Sequence, residues 1–166
     1  GKVRVDGEVA SLLDLGAGFH SDLTGRENAM IKGMIMGLRR REIVRKMPEI
    51  EAFSGLGQFM DQPVRIYSTG MLTRLGFSVI AHLEPDILLV DEVLAVGDVE
   101  FVNKCIERIQ LFKRRGVTIV LVSHNMYDIL RLCDRALWLE DKKVRAFGET
   151  KGVVAGYLEA HGQAAP

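Results

Sequence analysis

Residues 86–98 read DILLVDEVLAVGD: four apolar residues run into the adjacent acids Asp91 and Glu92, and a third acid, Asp98, follows Gly97. A lone carboxylate buried at a strand end is expensive, and two side by side are worse unless a cation or a proton transfer uses them. A second apolar run, Thr118 to Val122, ends in Ser123 and His124. In an open parallel sheet, ligands sit beyond the carboxyl ends of the strands. Two neighbouring strand ends would then supply an acid pair and an imidazole to one crevice. One carboxylate suits a hydrated Mg²⁺, the other can polarise a water, and the histidine can meet a phosphate oxygen. Taken alone, His124 would read as a capping or core histidine. The coincidence of both strand ends favours the chemical reading.

The elements that must position these residues follow from the pattern around them. Residues 2–15 give two short β-rich runs separated by Asp6-Gly7, a hairpin signal. GAGFHSD is a loop that lacks the last glycine of a dinucleotide fingerprint. Thr24 and Glu27 have capping-box spacing and predict a helix of about a dozen residues. Its Met-rich stripe through Met36 suits core or a partner interface. RRREIVRKMPEIEAF, residues 39–53, predicts a basic, solvated helix interrupted near Pro48. Ser68 and Thr69 are N-cap candidates for a helix carrying Leu72, Leu75 and Val79. After strand DILLV, a helix places Val102, Cys105, Ile106 and Ile109 on one face. Strand VTIVLV, a short helix over 126–133, a hairpin about Asp141-Lys142 and a last helix bearing Val153, Val154, Tyr157 and Leu158 complete the chain. Two fully apolar strands joined by a helix predict an α/β fold, its parallel sheet covered on both faces.

Composition sets the bounds. At 166 residues, 48% hydrophobic, the chain suits one core. Equal counts of 22 basic and 22 acidic residues lack the basic footprint of a nucleic-acid binder. The apolar runs are far too short for a membrane span, which needs about 18 residues. Cys105 and Cys133 have neither metal-site nor disulfide-framework spacing and read as reduced thiols. No signal-peptide pattern is present, and the chain opens on Gly1, so it reads as a processed or excised piece of something longer.

ILLVDEVLAVGD resembles the Walker B strand and D-loop of ATP-binding-cassette (ABC) ATPases, VSHN resembles their H-loop, and YSTGM a degenerate LSGGQ signature. VASLLDLGAGFHSDLTGREN is similar to the subgroup that exports polysaccharide, the O-antigen and teichoic-acid exporters. The resemblance covers essentially the whole chain. It implies a P-loop NTPase-like parallel sheet core with a helical signature subdomain. Residues 1–166 would form a partial nucleotide-binding domain, about 24–83 helical and 84–166 carrying the Walker B, D-loop and H-loop core. It also implies ATP and Mg²⁺, a homodimer of ATPase subunits, an integral membrane permease as partner, and a place on the cytoplasmic face of the bacterial inner membrane. Asp91 would hold Mg²⁺ through water, Glu92 would be the general base, and His124 would contact the γ-phosphate. Ser68, Thr69 and Gly70 would bind the nucleotide held by the opposite subunit at a helix N-terminus. Ala95 to Asp98 would be the D-loop. Without such neighbours, Ser68-Thr69-Gly70 would read as an ordinary N-cap.

The chain departs from the family pattern in three places. Thr69 and Met71 stand where the signature has glycine and glutamine, and no glutamine lies between Leu15 and Leu23, where the Q-loop belongs. No G-x-x-x-x-G-K-[ST] occurs, so the first strands, the phosphate loop and its helix are expected to lie outside this chain. Two readings follow: most of the ATPase subunit of a polysaccharide exporter, or a nucleotide-incompetent fragment acting as an interaction module. A DNA-repair ATPase with the same motifs would need a long coiled coil, and no heptad run exists. The joint presence of Glu92, His124 and Asp98 favours a catalytic parent. The partner groove is expected between Gly16 and Gly37.

Overall fold

The computed structural model describes residues 1–13, 15–91 and 98–162 and divides into two compact units, Gly1–Val120 and Leu121–Pro166. The first unit contains β1 (Val9–Ser11), α1 (Gly25–Ile35), α2 (Arg40–Ser54), 3-10 turns at Gly57–Asp61 and Val64–Ile66, α3 (Thr69–Ile80), β2 (Ile87–Asp91) and α4 (Val99–Arg114). Strand β3 (Thr118–Val122) crosses the boundary. The sheet order is β1-β2-β3; β1 runs parallel to β2, with Val9 opposite Ile87 and Ser11 opposite Leu89.

The hairpin expected about Asp6-Gly7 does not form. Residues 1–7 contain no strand, and Val3 and Val5 are exposed. Instead the Glu8 amide donates to the Asp86 carboxylate at 2.8 Å, and the Glu8 carbonyl accepts the amides of Asp86 and Ile87, each at 3.0 Å. An isolated two-stranded ribbon is marginal in water, so the edge goes to a partner strand far along the chain. Leu88 and Val90 of β2 are buried, but Thr118, Val120 and Val122 of β3 are exposed. Strand β3 is therefore not covered on both faces, contrary to its apolar sequence.

The stretch between β1 and β2 is built from short-range signals. The Glu27 amide donates to Thr24 Oγ1, and the Glu27 carboxylate accepts the Thr24 amide at 2.8 Å, closing the capping box of α1. Helix α2 runs unbroken through Pro48, a second correction. Proline removes the N–H that would bond the Val44 carbonyl, but Val44 is exposed, so solvent can serve the acceptor instead. Ile43, Met47 and Ile50 line the opposite side and pack with Ala29, Met60, Leu75 and Val79.

The second unit holds α5 (Met126–Leu132), β4 (Arg135–Glu140), β5 (Lys143–Glu149) and α6 (Thr150–Ala160). Strands β4 and β5 pair antiparallel, and both turn residues, Asp141 and Lys142, have positive φ, 51° and 62°. That is the backbone a two-residue hairpin turn requires. Trp138 meets Tyr157 edge-on at 5.5 Å, joining α6 to the hairpin.

Candidate functional site

Helix α3 presents the first group of expected site residues. Tyr67 is buried and donates its hydroxyl to the Phe59 carbonyl, which fixes the chain's entry into the helix. Ser68 is the N-cap: its Oγ accepts the Met71 amide at 3.2 Å. Ser68 and Thr69 are exposed. Among the described residues, a Cβ placed on Gly70 would meet nothing nearer than Ser68 Oγ, at 3.8 Å. Among the described residues, the exposed hydroxyls of Ser68 and Thr69 and the positive end of the helix dipole stand at an uncrowded helix end, an arrangement that favours an anion.

Asp91 closes the central strand β2 and is half-buried. Glu92, Ala95 and the rest of residues 92–97 lie outside the described residues. Asp98 caps α4: its Oδ1 accepts the Phe101 amide at 2.9 Å and its Oδ2 accepts Arg74 Nη1 at 3.1 Å. The Phe101 amide foremost, with the Arg74 charge beside it, holds this carboxyl below its ordinary range. Arg74 also donates Nε to the Ser54 carbonyl at 3.0 Å, and its guanidinium lies 5.0 Å from the centre of the Phe101 ring. The start of α4 is thereby tied to α3. Sequence reading missed Arg74, because one arginine on a helix looks like any solvated charge until its partners, 20 and 24 residues away, are seen.

His124 lies in the second unit, two residues beyond β3, and is exposed. Asn125 follows as the N-cap of α5; its Oδ1 accepts the Tyr127 amide at 3.0 Å, and its own amide donates to Ser123 Oγ at 3.0 Å. Ser68, Thr69, Gly70, Asp91 and Asp98 all belong to the first unit.

Among the described residues, no group of three or more histidine, cysteine or acidic side chains is placed to cage a metal. Asp91 offers one carboxylate at a strand end. Such a donor fits Mg²⁺, which keeps most of its waters and shares substrate phosphates. A cleft of about 430 Å³ in the first unit, between β1, α2 and residues 83–85, contains none of the expected site residues; Arg45, Lys46 and Glu84 are among those lining it.

No protein-family model matches the chain. It is 52% identical over 160 residues to the O-antigen export system ATP-binding protein RfbB of Klebsiella pneumoniae, covering 96% of this chain and 65% of that protein. It is 45% identical over 157 residues to the teichoic acids export ATP-binding protein TagH of Enterococcus faecalis (strain ATCC 700802 / V583), covering 95% of this chain and 35% of that protein. The chain thus spans less than two thirds of the length of these curated relatives. Among solved structures, the ATP-binding subunit of an ABC transporter superposes with a TM-score of 0.78 at 23% identity, over 90% of this chain and 62% of that one. A dimeric ATP-binding cassette in a post-hydrolysis state, bound to ADP and Pi, gives 0.68 at 19% identity, over 86% and 63%. At such identities the structural likeness is one of fold.

Proposed function

Because the chain belongs to the family of ABC-transporter ATP-binding proteins, with O-antigen and teichoic-acid export proteins among its relatives, we propose that it is part of an ATP-binding and ATP-hydrolysing subunit. That subunit drives export of a cell-surface polysaccharide or polyol phosphate. One observation carries the reading: the 52% identity with an O-antigen export ATP-binding protein extends over 96% of the chain.

In this reading, residues 24–83 are the helical signature subdomain and 84–166 the core with Walker B, D-loop and H-loop. Asp91 would hold Mg²⁺ through water, and the ion when bound neutralises phosphate charge. Glu92 accepts the proton of the attacking water, and His124 contacts the γ-phosphate. Ser68, Thr69 and Gly70 at the α3 N-terminus bind the nucleotide held by a second copy of the subunit, Ser68 and Gly70 at its γ-phosphate. Asp98 ends the D-loop that links the two sites, its geometry set by Arg74. The subunit works as a homodimer on a membrane permease, at the cytoplasmic face of the inner membrane. The permease contact falls between Gly16 and Gly37, where Met34 and Ile35 are exposed.

The test is Glu92→Gln in the complete protein. The amide keeps the shape but cannot take the water's proton, so ATP binding should persist, turnover should nearly vanish, and a nucleotide-bound dimer should accumulate. A wild-type hydrolysis rate in that variant would remove Glu92 from the mechanism.

A further inference from the structure

Lys32 is only 4% exposed, although it is a lysine in the middle of α1. Its ammonium donates to the carbonyls of Leu15 at 2.8 Å and Ala17 at 3.2 Å, and sits 5.0 Å from the centre of the Phe19 ring. One turn earlier, fully buried Asn28 accepts the His20 amide and donates to the carbonyls of His20, Leu23 and Thr24. Two polar side chains four residues apart on α1 therefore hold the loop from Leu15 to Thr24. Helix α3 closes on the same loop from its own side: a Cβ on Gly76 would overlap the Leu15 carbonyl oxygen. Desolvating an ammonium is costly, so a buried lysine is tolerated only where its donors are used. What the ammonium at position 32 holds is the loop backbone at Leu15 and Ala17.

We propose that Lys32 is a positioning residue. It locks Leu15–Ala17 between α1 and α3, so that α1, the loop and the α3 end bearing Ser68 move as one body. The loop stands where the family's Q-loop belongs, and no glutamine lies between Leu15 and Leu23. In this chain a lysine and backbone carbonyls carry the connection to the signature helix. The inference rests on the assignment of α3 as that helix.

The experiment compares Lys32→Met, Lys32→Arg and Gly76→Ala with wild type in the complete protein. ATPase kinetics and amide hydrogen exchange are followed on the same samples. Lys32→Met should lower kcat at least tenfold while KM for ATP stays within twofold, and should speed exchange at residues 16–20 with α2 and α6 unchanged. Lys32→Arg keeps a cationic donor and should recover part of kcat. Gly76→Ala displaces Leu15 from the α3 side with Lys32 intact and should reproduce the kcat-selective loss. Unchanged kcat in both Lys32→Met and Gly76→Ala overturns the proposal. So does a parallel change of kcat and KM accompanied by faster exchange throughout the fold, which is the mark of a structural role alone. If wild type hydrolyses no ATP, the proposed function fails, and the exchange at residues 16–20 still decides whether Lys32 holds the loop.

Discussion

Replacing Asn28 with alanine should destabilise the fold by about 3 kcal/mol. The carboxamide is fully buried; its oxygen accepts the His20 amide at 2.7 Å. Its nitrogen faces the carbonyls of Thr24, His20 and Leu23 at 2.9, 3.0 and 3.1 Å. Two N–H protons serve those three acceptors, so the set is equivalent to three full bonds, each contributing about 1 kcal/mol net. The carbonyls are not stranded by the change. His20 oxygen still accepts the Leu23 amide, Leu23 oxygen the Val64 amide, and Thr24 oxygen the amide of residue 28. Aspartate is the informative comparison, because it fills the same volume yet sets an acceptor against three carbonyl oxygens and buries a charge. Asn28→Asp should therefore be worse than Asn28→Ala, the reverse of what cavity filling alone would give. Equilibrium urea unfolding with an unchanged m-value measures both. An aspartate variant more stable than the alanine one, or an alanine cost below about 1 kcal/mol, would refute the reasoning.

Two further outcomes are expected. His82 is buried with Nδ1 2.7 Å from the Ser78 carbonyl; burial foremost, with the Arg108 charge opposing a second positive one, pushes its pKa down, although the hydrogen bond to Ser78 and the charge of Glu49 pull the other way. The unfolded chain then takes up the proton more readily, so this contribution to stability is complete above the unfolded value of about 6.5 and is lost as pH falls below it. The melting temperature should drop from pH 7 to 5, and His82→Gln should flatten that slope; an unaltered slope would place the acid sensitivity elsewhere. Calorimetry of the 166-residue chain with Mg-ATP should show millimolar affinity at best, on the order of 4 kcal/mol, because the glycine loop and lysine that surround the phosphates in P-loop enzymes are not part of this sequence. Micromolar binding would show that the phosphate site lies elsewhere in the chain.

What could be read from the residues was whatever short-range chemistry decides. The Thr24–Glu27 capping box, the Ser68 cap and the turn at Asp141-Lys142 all complete themselves within about four residues. What could not be read depended on distant partners. Residues 2–7 look like half a hairpin, yet β1 pairs across 78 residues with β2. Pro48 looks like a break because sequence does not show which side of a helix meets water. Val120 and Val122 look like core because apolar composition does not say whether a layer covers them. Of the site, the strand end at Asp91 and the helix end at Ser68 follow from pattern, whereas the ties made by Arg74 and Lys32 exist only once three elements are packed.

Surface loops ordinarily accept inserted or deleted residues. The loop from Leu15 to Thr24 has no such freedom, because its length is measured against a helix. Asn28 and Lys32 stand four residues apart, a rise of about 6 Å along α1, and each meets its own part of the loop backbone. One residue more or fewer between Ala17 and His20 would put one of these side chains out of reach of its carbonyls and leave a buried ammonium or carboxamide without them. Leu15, Phe19 and Thr24 have packing or capping roles of their own, but the loop's residue count is set by the backbone groups that α1 holds.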